Sequence, residues 1–149
     1  MPAKIDEVMK VTAIYRPDQS TKCKRPLFLV PVSAGFPSPA EDYLEGNLDL
    51  NKYLIKHPAA TFFVRVTGNS MIDAGIHDGD ILIVDRSLKP ADRKVIIAAV
   101  NGELTVRRVR ATKDGIVLIS ENKNYKPLQI GEEMGFEVWG VVTNVIHPL

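Results

Sequence analysis

From Thr61 onward the chain is a series of short apolar segments rich in β-branched and aromatic residues, each closed by a turn signal. That rhythm constrains the fold more than any other feature. Residues 62–66 end at Gly68-Asn69, and residues 80–85 follow the turn Asp78-Gly79. Residues 95–100 and 103–109 flank Asn101-Gly102, a strong two-residue hairpin signal. Residues 115–119, 125–130 and 136–145 bring the number to about seven strands, a spacing that favours a compact, mostly β body over a parallel α/β sheet.

The preceding stretch reads differently. Residues 1–48 mix Pro, Gly, Ser and charge, and Pro17, Pro26, Pro31, Pro37 and Pro39 break any long helix. Within it, residues 26–31 suit a short edge strand or an extended docking segment. Asp49 is placed to cap a short helix over 50–55, ended by His57-Pro58. The expected fold is therefore mainly β: an extended N-terminal arm over 1–48, and a body over 49–149 carrying one short helix.

Bulk properties narrow the function. A chain of 149 residues is about one domain. Its formal net charge of +1 gives no field for gripping nucleic acid, so little direct DNA binding is expected and work on DNA falls to a protein partner. The single Cys23 permits no internal disulfide and supplies no thiolate cage, which suits a reducing compartment. The longest apolar runs, 28–32 and 95–100, fall far short of the ~20 residues of a membrane helix. Residues 1–11 lack the core of a signal peptide. A cytoplasmic protein without membrane contact is expected.

One segment carries chemistry. Gly68-Asn69-Ser70-Met71-Ile72-Asp73 follows a strand directly. A serine just past a strand end, opening a turn, points its hydroxyl outward, and the N–H groups of Ser70 and Met71 can then face a developing oxyanion. Taken alone, Gly-Asn-Ser is far more often a plain surface turn.

The wider arrangement changes that weighting. Residues 66–71, the later Asp78-Gly79-Asp80, and Glu103-Leu104-Thr105-Val106 resemble the catalytic domain of the LexA/UmuD family of self-cleaving serine–lysine peptidases. Upstream, residues 33–40, Ser-Ala-Gly-Phe-Pro-Ser-Pro-Ala, resemble the self-cleavage region on the UmuD side of that family. Asp49-Leu50-Asn51 and residues 57–64 follow in the same order. The resemblance covers about residues 27–147.

It implies a compact β body, a nucleophile at Ser70, an oxyanion site from Ser70 and Met71, and scission between Ala34 and Gly35. No cofactor and no metal are expected from the single cysteine and the scattered histidines. The residues themselves agree on the cleavage point: Ala34-Gly35 is small enough for a tight site, and Pro37 and Pro39 keep the chain extended. As a bland alternative, Ala-Gly-Phe-Pro is an exposed loop open to any protease. As partners, the resemblance implies a second copy of the chain in a homodimer, the UmuC-like catalytic subunit of an error-prone translesion DNA polymerase, and the RecA–single-strand DNA filament that prompts cleavage in the response to DNA damage.

The sequence departs from the family at one point. The general base is a strand lysine whose pKa is lowered by apolar burial, and counting without gaps from Ser70 its place falls on Arg107. Arginine holds its proton throughout the physiological range and cannot take one from serine, although it can hydrogen-bond Ser70 as a cation. Self-cleavage is expected to be impaired. As a plain alternative, Arg107 is a solvated strand residue in a trio with Arg108 and Arg110. Lys89, Lys94 and Lys113 lack apolar flanks and read as surface lysines.

His57, His77 and His147 are scattered, show no metal spacing and read as turn residues; Trp139 suits core or dimer surface. Competing functions are a non-cleaving binding or inhibitory subunit of the same polymerase system, and a LexA-like repressor. The repressor reading suffers because residues 1–34 are too few and too proline-broken for a helix-turn-helix domain. A signal peptidase is disfavoured by the missing anchor.

Overall fold

A computed structural model describes residues 8–18, 24–28 and 44–149. Ala34-Gly35 lies outside the described residues. Among the described residues, ten strands form: β1 (Lys10–Tyr15), β2 (Lys24–Phe28), β3 (Leu44–Asp49), β4 (Thr61–Thr67), β5 (Ile81–Asp85), β6 (Val95–Val100), β7 (Glu103–Thr112), β8 (Gly115–Ile119), β9 (Leu128–Gln129) and β10 (Phe136–Ile146), with one short α-helix, α1 (Leu50–Leu54). The mainly β expectation is borne out.

The described residues divide into two units, drawn from 1–17 with 59–149 and from 18–58. In the first, eight strands form one sheet in the order β1-β4-β5-β10-β6-β7-β8-β9, and a further β1–β7 pairing, Lys10 opposite Thr105, joins six of them into a barrel-like ring. Neighbouring strands run antiparallel throughout. The second unit holds the antiparallel β2–β3 pair and α1. Asp49 caps that helix as expected, its Oδ1 accepting the N–H of Asn51 at 3.0 Å.

Strand β1 departs from the expected arm over residues 1–48. It pairs with β4 from Lys10 opposite Thr67 to Tyr15 opposite Phe63, and the preceding Met9 is fully buried. Met9, Val11 and Ala13 alternate with Lys10 and Thr12, the pattern of a strand that buries one face.

The continuous apolar runs are explained by burial on both faces. On β6, Ile97 packs with Met9, Val64, Val66, Met71, Leu82 and Val106, whereas Ile96 and Ala98 turn to Val109, Leu118 and Val141. The β6–β7 hairpin turns on Asn101 (φ 50°) and Gly102 (φ 86°), the left-handed pair that an Asn-Gly loop supplies. Of the expected strand 125–130, Leu128–Gln129 forms β9 against β8, and the Ile130 N–H adds a bond to Ile116 O at 3.1 Å. The start of the expected strand is taken by a turn in which the Tyr125 N–H reaches Asn122 O.

Candidate functional site

Ser70 lies in the loop leaving β4, and Asp78 fixes the start of that loop. One carboxylate oxygen of Asp78 accepts both the Gly68 N–H and the Thr67 hydroxyl, each at 2.7 Å. These bonds, the Gly68 N–H above all, hold the exposed Asp78 carboxyl below its ordinary pKa. Gly68 takes φ 104°, which frees the chain to turn out of the strand. A short 3₁₀ turn, Ile72–Ala74, follows the serine and ends at Gly75, again left-handed.

The loop is also tied to the chain beyond β8. The Asp73 N–H donates to Glu121 O at 2.8 Å, and Asn122 Nδ2 donates to Asn69 O at 2.9 Å. The buried Met71 Sδ accepts the Glu121 N–H at 3.4 Å. The loop carrying Ser70 is thus anchored both at Asp78 and at the segment that follows β8.

The hydroxyl itself is not outward-facing as the sequence suggested. Ser70 is fully buried, and its Oγ accepts the backbone N–H of Met9 at 2.7 Å. The cause is β1: Met9 also accepts the Val106 N–H, at 3.2 Å, and its side chain joins the core beside Met71. The opening strand therefore roofs the serine.

Arg107 sits on β7 opposite Ile96 and is buried, unlike Arg110, while Arg108 pairs with Glu121. Its Nη1 reaches Ser120 Oγ at 3.5 Å, and among the described residues its buried Nε has no hydrogen-bond partner. Burial pulls the guanidinium pKa below its ordinary value, yet arginine still stays cationic at neutral pH. The hydrogen bond to Ser70 that a cation at position 107 can make is not formed; Met9 holds the hydroxyl instead. Arg107 borders a cleft of about 610 Å³ that Lys10, Glu103, Thr105, Tyr125 and Leu128 also line. Lys89, Lys94 and Lys113 are all exposed.

Sequence reasoning missed two groupings. His77 and His147, read as isolated turn residues, stack face to face with ring centroids 4.3 Å apart, beside the buried Asp80. The β5–β10 pairing brings them together, a long-range contact that local spacing cannot reveal. Trp139 packs against Phe62 at 5.2 Å, with the Arg86 guanidinium 4.6 Å over the Trp139 ring and the Arg16 guanidinium 5.2 Å over the Phe62 ring. Such cation–ring contacts favour a packing role.

A serine-bearing loop leaving β4 of a barrel-like β body, with a buried cation on β7, defines a class. Residues 26–143 match the Peptidase S24-like family, and the chain belongs to it. By family it is a serine autopeptidase. Among its relatives, Protein SamA of Salmonella typhimurium is 48% identical over 140 residues, covering 94% of this chain and 95% of that protein. Protein MucA of Escherichia coli is 40% identical over 144 residues, covering 95% and 98%. Protein ImpA of Shigella flexneri is 45% identical over 124 residues, covering 83% of each. These are UmuD-like proteins, so within the LexA/UmuD peptidases this chain is of the UmuD type and its function is that of an accessory in SOS mutagenesis. Among the described residues no helix is long and apolar enough to cross a membrane.

Proposed function

We propose that this chain is a damage-response switch built for scission between Ala34 and Gly35, in which Ser70 is the nucleophile and Arg107 stands in place of the base. The N–H groups of Ser70 and Met71 form the oxyanion site; neither donates to an acceptor among the described residues. The supporting observation is the burial of Arg107 on the strand position where a buried lysine would titrate low enough to deprotonate serine. A guanidinium there keeps its proton, so serine activation lacks a base and cleavage is slow or absent.

The scissile bond of a competent form is attacked by Ser70 Oγ, the serine proton passes to the base, and the Gly35 amine leaves with a proton. Water then hydrolyses the Ala34 ester. The processed chain is a homodimeric accessory subunit of an error-prone, UmuC-like polymerase in the cytoplasm, with the RecA–single-strand filament as the trigger. Val145 and Ile146, exposed at the end of β10, favour that strand as the dimer surface.

Arg107 equally supports a second reading: a non-cleaving accessory or inhibitory subunit of the same polymerase system. Incubation with RecA, nucleotide and single-stranded DNA separates the two. Fragments joined at Ala34 and Gly35 mark a switch; an intact chain that still binds the polymerase subunit marks the non-cleaving partner.

A further inference from the structure

The imidazoles of His77 and His147 lie nearly parallel, 28° apart, and both bring Nδ1 to one carboxylate. His147 Nδ1 is 2.6 Å from Asp80 Oδ1, and His77 Nδ1 is 3.8 Å from Asp80 Oδ2. The Asp80 side chain is 1% exposed. Its Oδ2 also accepts the His77 backbone N–H at 2.8 Å, which fixes the carboxylate in its present orientation.

The fold assembles this group from distant parts of the chain. Ile146 faces Ile81 across the β10–β5 pair, so His147 and Asp80, one residue beyond each, emerge side by side. A turn closed by the Asp80 N–H on His77 O, at 3.0 Å, swings His77 over them.

One feature of the group is costly as it stands. His77 Nδ1 is buried and, among the described residues, makes no hydrogen bond. An unsatisfied buried polar atom normally carries a penalty that a partner removes. The atom points at a carboxylate whose other oxygen is already met by a second imidazole, which is a donor set rather than a packing arrangement.

We propose that His77 Nδ1, the Asp80 carboxylate and His147 Nδ1 bind one divalent transition-metal ion of the zinc class, with water completing the coordination. Two imidazoles and a carboxylate suit zinc, copper or nickel and not calcium or magnesium, which prefer oxygen alone. The three donor atoms lie within 4.8 Å of one another. Donors around a tetrahedral zinc at ~2.0–2.1 Å stand roughly 3.4 Å apart, so on binding the 2.6 Å His147–Asp80 pair opens and the 3.8 Å His77–Asp80 pair closes slightly. The outer edges of both imidazoles are exposed, at 42% and 37% of each side chain, and give the ion a way in.

The bound ion joins the end of β10 to the 77–80 turn. That turn is bonded to the strand leading to Ser70, through the Gly79 N–H on Val66 O and through Asp78 on Gly68. Metal at this point braces the loop that carries the serine.

The test is calorimetric titration of the metal-stripped full chain with zinc chloride, followed by thermal melting. One zinc per chain is expected, with at least tenfold weaker binding in His77→Gln and in His147→Gln and no change in His57→Gln. The unaltered chain should melt about 5 °C higher, or more, when zinc exceeds its dissociation constant a hundredfold, and EDTA should reverse the gain. This melting measurement needs no variant, so misfolding of a substituted chain leaves the proposal testable. Absence of saturable zinc binding, absence of a reversible rise, or full binding in both histidine variants overturns it.

Discussion

In the function proposed above, self-cleavage turns on Ser70 as nucleophile and on Arg107 at the place of the base. The Ser70 loop is anchored at Asp78 and at the segment that follows β8, and Arg107 is buried without the capacity to accept a proton. General-base assistance is worth about 10²–10⁴ in rate, so Arg107→Lys should raise self-cleavage by that order. The restored reaction should quicken as pH rises, because lysine acts only after losing its proton, and Ser70→Ala in the lysine background should abolish it. Asp78 acts one step back. Its carboxyl is held low by Gly68 and Thr67, so its contribution is present above the unfolded carboxylate pKa and is lost as pH falls through the lower, folded value. Asp78→Asn should therefore loosen the Gly68–Gly75 loop at neutral pH, seen as faster amide exchange there, and should flatten the loop's response to acid. Unchanged exchange would show that Asp78 does not anchor it.

At the scale of elements, β10 leaves little room for change at Gly140. A bulge between Val138 and Gly140 lets it pair with both β5 and β6, and a methyl group on Gly140 would stand 2.6 Å from Val84 Cγ1. Gly140→Ala should cost roughly 1–3 kcal/mol in denaturant unfolding, the usual cost of overpacking. Met9→Ala should cost more, about 2–5 kcal/mol, because it empties a fully buried site in the core. Much of this architecture was legible: the Asn101-Gly102 hairpin, the Asp49 cap and the paired runs of β5 and β6 follow from local residue chemistry. Strand β1 was not. Apolar and polar residues alternate only as far as Ala13, and its place between β4 and β7 depends on pairing with distant strands. The same reason hid the roof over Ser70 and the meeting of His77 with His147, whereas the positions of Ser70 and Arg107 themselves follow from motif and spacing.

For the whole molecule, the placement of β1 alters what processing releases. Scission between Ala34 and Gly35 leaves β1 on the short product, still paired with β4 and with Met9 in the core. Native mass spectrometry of the cleaved protein should find the two pieces together, and prompt loss of the 1–34 fragment would show that β1 is dispensable to the body. The dimer proposed through β10 is checked by light scattering, where a monomer at high concentration would contradict it. On the function proposed above, the fold is an autopeptidase disarmed at position 107. The most direct test of that proposal is the intact mass of the purified chain and of Arg107→Lys after a day at alkaline pH. The unaltered chain should keep its full mass, and Arg107→Lys should split into two species that meet at Ala34 and Gly35. Efficient splitting of the unaltered chain, or a lysine variant that stays whole while remaining folded, would contradict the assignment of the base to position 107.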